Sequence, residues 1–251
     1  MARLAVIILT KNEERNIEAA IASATFADEI LVIDSGSTDR TQELAEKHGA
    51  RFITHPMDEE GFAGQRNFAL MQTDAEWVFY LDADERITKK AQRIIAEIVQ
   101  KNEKIVFRVE RKNIVFGMLM RYGVHRPDFV TRLFPREDAC WRGKVHEGVC
   151  TELVEKRIPN VLQHYTYTTW QQYFFKFNRY TSLAAEELFK REKKINNIGI
   201  IGHSLGAFIK AYIIKKGFLD GFLGFIMCFM AMVYTLTKYM KLQNLYRLHN
   251  K

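Results

Sequence analysis

The stretch Trp77-Val78-Phe79-Tyr80-Leu81-Asp82-Ala83-Asp84 decides the fold of this chain. An unbroken apolar run of this length is typical of a strand that is buried on both faces, as in a parallel sheet. The run stops at two carboxylates that are one residue apart. Because ligands of open α/β sheets bind beyond the carboxyl ends of the strands, the stretch predicts a central strand that carries Asp82 and Asp84 to a binding edge.

Strands and helices alternate on both sides of this stretch. Apolar runs predict strands at residues 4–9, 29–33 and 51–54, and amphipathic segments predict helices at residues 12–24, 38–48, 64–71 and 89–100. Ser37 or Thr38 is expected to cap the second helix, and Gly49 to follow its end. This alternation predicts an α/β fold with a mostly parallel sheet and helices on both faces.

The remainder of the chain changes character. Within residues 104–149, β-rich runs lie at 105–109, 129–134 and 148–150, and we interpret them as a mixed extension of the same sheet. From Trp170 onward the pattern is helical. We therefore expect an α/β domain of residues 1–165, followed by a helical C-terminal region of residues 166–251.

Composition narrows the class of partner. The chain has 251 residues and a net charge of +7, and 47% of its residues are hydrophobic. A basic chain favours an anionic partner such as a nucleotide, a nucleic acid or an acidic membrane surface. The three cysteines show no C-x-x-C spacing, and the N-terminus has no signal-peptide core. These features favour a reduced, cytoplasmic setting.

Polar residues follow several of the predicted strands. Carboxylates at positions 82 and 84 can hold a hard cation such as Mg²⁺ or Mn²⁺ together with substrate phosphates; a solvated acidic loop is the alternative. Asp34 can accept a hydrogen bond from a base N–H, or it can simply cap a turn. Arg66 suits a phosphate group, although an arginine at a helix start is often only solvated.

Three motifs in order resemble the family 2 glycosyltransferases, which have the GT-A fold. They are Ile8-Leu9-Thr10-Lys11-Asn12-Glu13-Glu14, then Ile33-Asp34-Ser35-Gly36-Ser37-Thr38-Asp39-Arg40-Thr41, then Leu81-Asp82-Ala83-Asp84-Glu85. The resemblance implies a UDP-sugar donor, with Thr10 and Glu13 by the nucleoside and Asp34 by the uracil. It further implies Asp82 at the ribose and metal, and Asp84 as the metal ligand.

Later segments are similar to a bacterial subgroup that contains the lipopolysaccharide inner-core β-1,4-glucosyltransferases. They are Arg132-Leu133-Phe134, Trp141-Arg142-Gly143-Lys144-Val145-His146-Glu147 and Gly217-Phe218-Leu219-Asp220-Gly221. This resemblance implies transfer of a hexose, with glucose favoured, to an inner-core heptose on a lipid-linked glycan. Transfer of another sugar to a different cell-envelope acceptor stays open.

The implied reaction is inverting transfer, which requires a general base for the acceptor hydroxyl. Glu147 lies where this family usually places that base, and Asp138 and Glu137 are the alternatives. His146 could assist with phosphate or metal, or only flank the site. Trp141 could stack on a sugar face or belong to the core.

A different reaction class is suggested by Gly202-His203-Ser204-Leu205-Gly206, which matches the G-x-S-x-G motif of α/β-hydrolases. A strand at residues 198–201 and the order Ser204, Asp220, His249 would suit a serine hydrolase. Against it, only apolar helical segments follow the motif. The alternative, a glycine-containing helix start, is the interpretation that we favour.

The C-terminal residues are apolar and basic, with Asp220 as the sole acid from residue 207 to the end. No aromatic-interleaved sheet motif for nucleic acid is present, so we expect no nucleic-acid partner. An apolar face with lysines suits an anionic membrane surface, whereas simple packing on the α/β domain is the alternative. The clean run at residues 222–234 is too short to span a bilayer. We therefore expect a peripheral protein on the cytoplasmic face of the inner membrane.

Overall fold

The computed structural model describes residues 2–57, 61–143 and 148–249. Its strands are, in chain order, β1 Leu4–Thr10, β2 Glu29–Asp34, β3 Arg51–Thr54, β4 Trp77–Asp82, β5 Glu85–Ile87, β6 Val106–Val115, β7 Met118–Leu119, β8 Phe129–Pro135, β9 Cys140–Arg142, β10 Gly148–Cys150 and β11 Glu155–Tyr167. Its α-helices are α1 Ile17–Ala24, α2 Thr41–Lys47, α3 Gly61–Leu70, α4 Lys89–Lys101, α5 Trp170–Lys190, α6 Asn197–Ile209 and α7 Gly221–His249. The α/β class predicted from the sequence is confirmed.

The first four strands form the parallel half of the main sheet, in the order β3-β2-β1-β4. Every residue of β1 is buried, which explains why its sequence is apolar without alternation. Val6 and Ile8 pack on one face of the sheet with α1 and α4, whereas Ile7 and Leu9 pack on the other face with α3. The core therefore lies in two layers, one on each side of the sheet.

The second half of the sheet is antiparallel where it continues from β4 through β8, β6, β11 and β5. The predicted mixed extension is therefore confirmed for residues 105–109 and 129–134. It was wrong for residues 148–150, because β10 pairs with β9 in a separate two-stranded sheet. Strand β11 was not predicted, because its sequence lacks the alternation of a half-buried strand. Along its first eight residues only Ile158, Val161 and Leu162 are buried.

Two compact units divide the chain. The sheet unit comprises Met1–Lys112 and Asp128–His164, and the helical unit comprises Asn113–Pro127 and Tyr165–Lys251. The segment 113–127 thus belongs with the C-terminal helices, although it includes the end of β6 and all of β7.

Helices α5, α6 and α7 pack together in the helical unit. A π-helical turn at Lys210–Ile214 prolongs α6, and a 3₁₀ turn at Gly217–Asp220 precedes α7. Asn197–Ile214 and Gly217–His249 are both long and apolar enough to cross a membrane, with mean hydropathies of 1.3 and 1.8. The apolar run of residues 222–234, which we expected to be too short to span a bilayer, lies within the second of these helices. They are compatible with membrane association.

One local prediction was wrong. Helix α2 begins at Thr41, and its N-cap residue Arg40 makes no side-chain capping bond, so Ser37 and Thr38 do not cap it. Residues 198–201, which the serine-hydrolase alternative would need as a strand, are part of α6, in agreement with the helix start that we favoured. Gly49 does follow the end of α2, with a left-handed φ of 77° that suits glycine.

The structure contradicts the serine-hydrolase alternative, because its serine lies within α6. Ser204 is buried mid-helix, and its hydroxyl donates to the carbonyl of Ile200 at 2.7 Å. Asp220 accepts hydrogen bonds from the backbone N–H groups of Arg121 and Tyr122. His249 packs its ring on Phe189, 4.9 Å between centroids. Each of the three residues therefore contacts a residue other than the two that a hydrolase triad would pair it with.

Candidate functional site

The carboxyl ends of three parallel strands lie side by side at one edge of the sheet. Thr10 of β1 is paired in register with Asp34 of β2, and Leu9 with Asp82 of β4. Residues 10, 34 and 82 were expected to share this edge, and the strand register brings them there. This is the edge at which open α/β sheets bind ligands.

Asp34 builds the turn that follows β2. Its Oδ2 accepts hydrogen bonds from the backbone N–H of Gly36 at 2.8 Å and of Ser37 at 2.7 Å. Its Oδ1 accepts from the Ser37 hydroxyl. The side chain is buried, and the turn-capping alternative is therefore realised. A carboxylate oxygen has two acceptor sites, so these bonds leave Oδ1 able to accept one more.

Thr10 and Glu13 flank this turn on the side of β1. The carbonyl of Thr10 accepts from the backbone N–H of Ser35 at 3.0 Å, which ties the two strand ends together. The buried hydroxyl of Thr10 has no hydrogen-bond partner among the described residues. Glu13 accepts from the Asn16 amide at 2.7 Å, and its own N–H donates to the Thr41 hydroxyl at 2.8 Å.

Asp82 belongs to a buried network of charged side chains. The guanidinium of Arg132 contacts Asp82 and lies 2.9 Å from Glu85, which is fully buried. Arg66 approaches Asp82 at 3.2 Å, and Arg111 approaches Glu85 at 3.3 Å. Burial by itself would raise the pKa of Asp82, but Arg132 and Arg66 hold that pKa well below its usual range. Asp82 is therefore ionised over the whole physiological pH range.

Arg66 and Trp141 pack against each other. The guanidinium carbon of Arg66 lies 4.4 Å from the centroid of the Trp141 ring, a cation–π geometry. Trp141 is 4% exposed and makes edge contacts with Tyr80 and Phe134. Its backbone is held on both sides by the side-chain amide of Asn67. The structure thus places this tryptophan in the core, the alternative that the sequence left open.

Asp84 and His164 form a second cluster near the same edge. Strand β11 pairs with β5 so that His164 lies opposite Glu85. This register brings the Nε2 of His164 to 3.5 Å from the Oδ2 of Asp84, with both side chains partly exposed. Carboxylate and imidazole groups both ligate divalent metals in proteins, and the two atoms are close enough to share one ion.

This donor set fits a divalent cation that is shared with a ligand. Among the described residues, no three His, Cys, Asp or Glu side chains are grouped to hold a metal by themselves. Mg²⁺ usually keeps several waters and is bound through one or two protein ligands plus substrate phosphates. Two donors, Asp84 and His164, are what such a site requires from the protein.

The acceptor side is only partly described. Glu147 and His146 lie outside the described residues. Of the alternative bases, Glu137 has an 81% exposed side chain beside Arg136, and Asp138 pairs with Lys104 at 3.1 Å.

Comparisons with known proteins agree with this geometry. The family model described as "Glycosyl transferase family 2" matches residues 5–157. The chain belongs to glycosyltransferase family 2. It is therefore a glycosyltransferase with the α/β fold of that family, and its three strand-end motifs all fall inside the matched region.

Two curated relatives extend over nearly the whole chain. An uncharacterized glycosyltransferase of Rickettsia bellii is 30% identical, over 97% of this chain and 86% of its own length. The lipopolysaccharide core biosynthesis glycosyltransferase LpsC of Rhizobium meliloti is 30% identical, over 92% of this chain and 88% of its own. Among solved structures, glucosyl-3-phosphoglycerate synthase from Mycobacterium tuberculosis has a TM-score of 0.41 and 22% identity, covering 54% of this chain and 57% of that one.

Sequence reasoning missed several residues of this glycosyltransferase site. Arg132 and Glu85 stood inside quoted motifs without an assigned role, although a charged residue inside an apolar strand run is a signal that it has a buried partner. Arg111 and His164 carried no comparable signal. Their relation to the site depends on long-range strand pairing, which a local pattern does not contain.

Proposed function

We propose that this glycosyltransferase transfers a hexose, with glucose favoured, from a UDP-sugar to an inner-core heptose of a lipopolysaccharide or lipooligosaccharide acceptor. The observation that carries the donor half is the convergence of Thr10, Asp34, Asp82 and Asp84 at one sheet edge. The acceptor half is supported by the relative named for lipopolysaccharide core biosynthesis and by the subgroup motifs.

On the donor side, each residue has a distinct role. The remaining acceptor site of Asp34 Oδ1 would receive the uracil N–H, with Thr10 and Glu13 beside the nucleoside. Asp82, held in place by Arg132, would accept from the ribose and reach the ion. Arg66 lies beside Asp82, where its positive charge would attract the diphosphate.

Asp84 and His164 would hold Mg²⁺ or Mn²⁺. When bound there, the ion would neutralise negative charge on the diphosphate leaving group. The contribution of the chain itself is to bring the Oδ2 of Asp84 and the Nε2 of His164 to within 3.5 Å of each other.

The acceptor hydroxyl attacks the anomeric carbon as the bond from that carbon to the UDP oxygen breaks, and UDP leaves with the electron pair. Glu147 would take the hydroxyl proton as general base, with His146 next to the phosphate or metal. This single displacement inverts the configuration of the anomeric carbon. The two long apolar helices would keep the enzyme at the cytoplasmic face of the inner membrane, where a lipid-linked acceptor is embedded.

The test is UDP release with a heptose-terminated lipid core, supplied in turn with UDP-glucose, UDP-galactose and UDP-N-acetylglucosamine. We expect UDP-glucose to be the best donor and activity to require Mg²⁺ or Mn²⁺. Full activity in the presence of a chelator would contradict the metal site. A preference for a different donor or a non-heptose acceptor would favour transfer to another cell-envelope glycan.

Single substitutions test the general base and the metal ligands separately. Glu147→Gln should bind UDP-glucose normally but lose transfer, whereas the matched variant Glu137→Gln should retain transfer. Asp84→Ala and His164→Ala should each weaken Mn²⁺ binding to the full-length protein, measured by electron paramagnetic resonance. Unchanged Mn²⁺ affinity in both variants would remove these two residues from the site.

A further inference from the structure

An open cavity of about 380 Å³ lies in the helical unit, lined by residues from α5, α6 with its π-helical turn, and α7, and also by Val124, His125 and Tyr167. Tyr173, Ala207 and Met227 represent the three helices on its walls. The volume falls within the range of about 300–1,000 Å³ that is typical of small-molecule sites. None of the described residues assigned to the donor or the metal lines this cavity.

Small side chains line part of the cavity and leave the space between the helices unfilled. Ala207 and Ala211 are four residues apart and therefore lie on one side of the helix, and Ala231 of α7 also lines the cavity. Met227 contributes a flexible, polarisable surface that adapts to irregular apolar ligands. These walls suit a hydrocarbon chain.

Two lysines line the same cavity, Lys210 and Lys215. In a regular α-helix, residues five apart point about 140° away from each other. Here the N–H of Lys215 donates to the carbonyl of Lys210 at 2.8 Å, closing a π-helical turn. The wider turn brings both lysines to the cavity side. Such turns are frequent at functional sites.

The segment that carries these lysines contains one acidic residue, and its carboxylate already accepts hydrogen bonds from other groups. Asp220 is the sole acid from residue 193 to the end of the chain. Its carboxylate is engaged by the backbone N–H groups of Arg121 and Tyr122. A ligand with a negative group would therefore be favoured beside an apolar wall.

The outer side of the same helical segment indicates where that ligand comes from. Ile209, Ile213 and Ile214 are 52%, 55% and 70% exposed, and they belong to a segment that is apolar enough to enter a membrane. Side chains of this kind are stable in contact with lipid. If this segment enters a membrane, lipid is the ligand nearest to the cavity.

We propose that this cavity binds one anionic phospholipid, with its phosphate at Lys210 and Lys215 and an acyl chain along the alanines and Met227. The choice of a lipid rests on the proposed membrane association. The lipid is a bound partner, whether or not the enzyme glycosylates it.

Native mass spectrometry of the full-length protein, released from a nonionic detergent, tests this directly with phosphatidylglycerol and phosphatidylcholine of equal chain length. We expect one tightly bound phosphatidylglycerol per chain and binding of phosphatidylcholine at least fivefold weaker. Lys210→Gln should weaken phosphatidylglycerol binding about fivefold, as loss of one lysine near an anionic lipid predicts. Lys216→Gln, an equal charge change at a neighbour that does not line the cavity, should change it less than twofold.

Steric variants complete the test. Ala231→Phe should abolish the single tight site, whereas Ile213→Phe, which adds bulk to the exposed face, should leave it intact. If Ala231→Phe does not fold, Ala207→Leu replaces it. Equal losses in Lys210→Gln and Lys216→Gln, retention of the site in the filled variant, or full displacement by inorganic phosphate alone would each overturn the proposal. Because only binding is measured, these outcomes do not depend on donor or acceptor in the transfer reaction.

Discussion

Replacing Arg132 by methionine removes the positive charge on which the buried network depends. The arginine side chain is 3% exposed and contacts both Asp82 and Glu85. Methionine has comparable length and no charge, so the variant deletes the ion pairs while it fills most of the volume. Two carboxylates then lose their shared partner at the centre of the sheet unit.

The expected loss of stability follows from what remains. Breaking a buried pair by removing one partner costs about 3–5 kcal/mol, because an uncompensated buried charge is left behind. Arg66 still lies 3.2 Å from Asp82, and Arg111 still lies 3.3 Å from Glu85. We therefore expect the lower end, about 3 kcal/mol, which is a large part of the 5–15 kcal/mol typical of a folded protein.

Urea unfolding measures this loss, with fluorescence of the buried Trp77 and Trp141 as the signal and a chelator present to exclude metal effects. Arg111→Met is the matched control. Its side chain is 20% exposed and its removal leaves the pair of Arg132 with Glu85 intact. We expect the control to lose about 1–2 kcal/mol of unfolding free energy, less than Arg132→Met loses.

The difference between wild type and Arg132→Met should also depend on pH. The pKa of Asp82 in the folded protein lies below its usual value, against the effect of burial, because of Arg132 and Arg66. A carboxyl of this kind adds stability above its unfolded pKa of about 3.9, and that stability is lost as the pH falls through the folded pKa. Without Arg132 the pKa of Asp82 in the folded protein rises, and the stability that ionised Asp82 adds becomes smaller. The difference in unfolding free energy between wild type and Arg132→Met should therefore become smaller as the pH is lowered below about 4.

Two results would refute this reasoning. A loss below about 1 kcal/mol for Arg132→Met would mean that the carboxylates do not rely on this arginine. A loss equal to that of Arg111→Met at every pH would mean that burial and packing, and not the ion pairs with Asp82 and Glu85, account for the effect.

Three further predictions concern other parts of the fold. Gly224→Ala should lower the thermal unfolding temperature in detergent, because a Cβ there would lie 2.2 Å from the carbonyl oxygen of Gly217. Overpacking of this kind costs about 1–3 kcal/mol. The control Gly206→Ala adds a Cβ where there is open space, and it should not lower the unfolding temperature. Asp34→Asn should weaken UDP binding, measured by calorimetry, and should also lower stability by about 1–3 kcal/mol, because its amide nitrogen cannot accept the hydrogen bonds of the turn. UDP affinity equal to wild type would restrict Asp34 to its turn. Ser204→Ala should keep full transferase activity, and a fluorophosphonate probe should not label the wild-type serine.

The sequence predicted best those elements whose burial dictates their composition. Strand β4 and strand β1 are buried throughout or nearly so, and their uninterrupted apolar runs specify both the strand and its place in a parallel sheet. Strand β11 escaped prediction because it is largely exposed over its first half and leaves no period-two pattern. The chain from Trp170 onward was predicted to be helical, and α5, α6 and α7 lie there. The run of residues 222–234 was expected to be too short for a bilayer, but it is part of a helical stretch, Gly217–His249, that is long and apolar enough.

The site was predictable where residues follow a strand and unpredictable where they arrive from elsewhere. Asp82 is the last residue of β4 and Asp84 follows two residues later, so strand order alone places them at the edge. His164 comes from a strand 80 positions further along the chain and reaches Asp84 only through the antiparallel pairing of β11 with β5. Likewise, Arg132 enters through the pairing of β8 with β4.

The two aspartates of the strand end differ in what surrounds them, and this difference supports separate duties. The network contains three carboxylates and three guanidinium groups: Asp82, Glu85, Asp128, Arg66, Arg111 and Arg132. A divalent cation that bound through Asp82 alone would compete with two guanidinium groups for the same oxygens. At Asp84 the neighbouring His164 can instead donate a lone pair to the same ion when its ring is neutral. We infer that Asp84 is the primary metal ligand, and that Asp82, fixed by Arg132, chiefly positions the nucleotide.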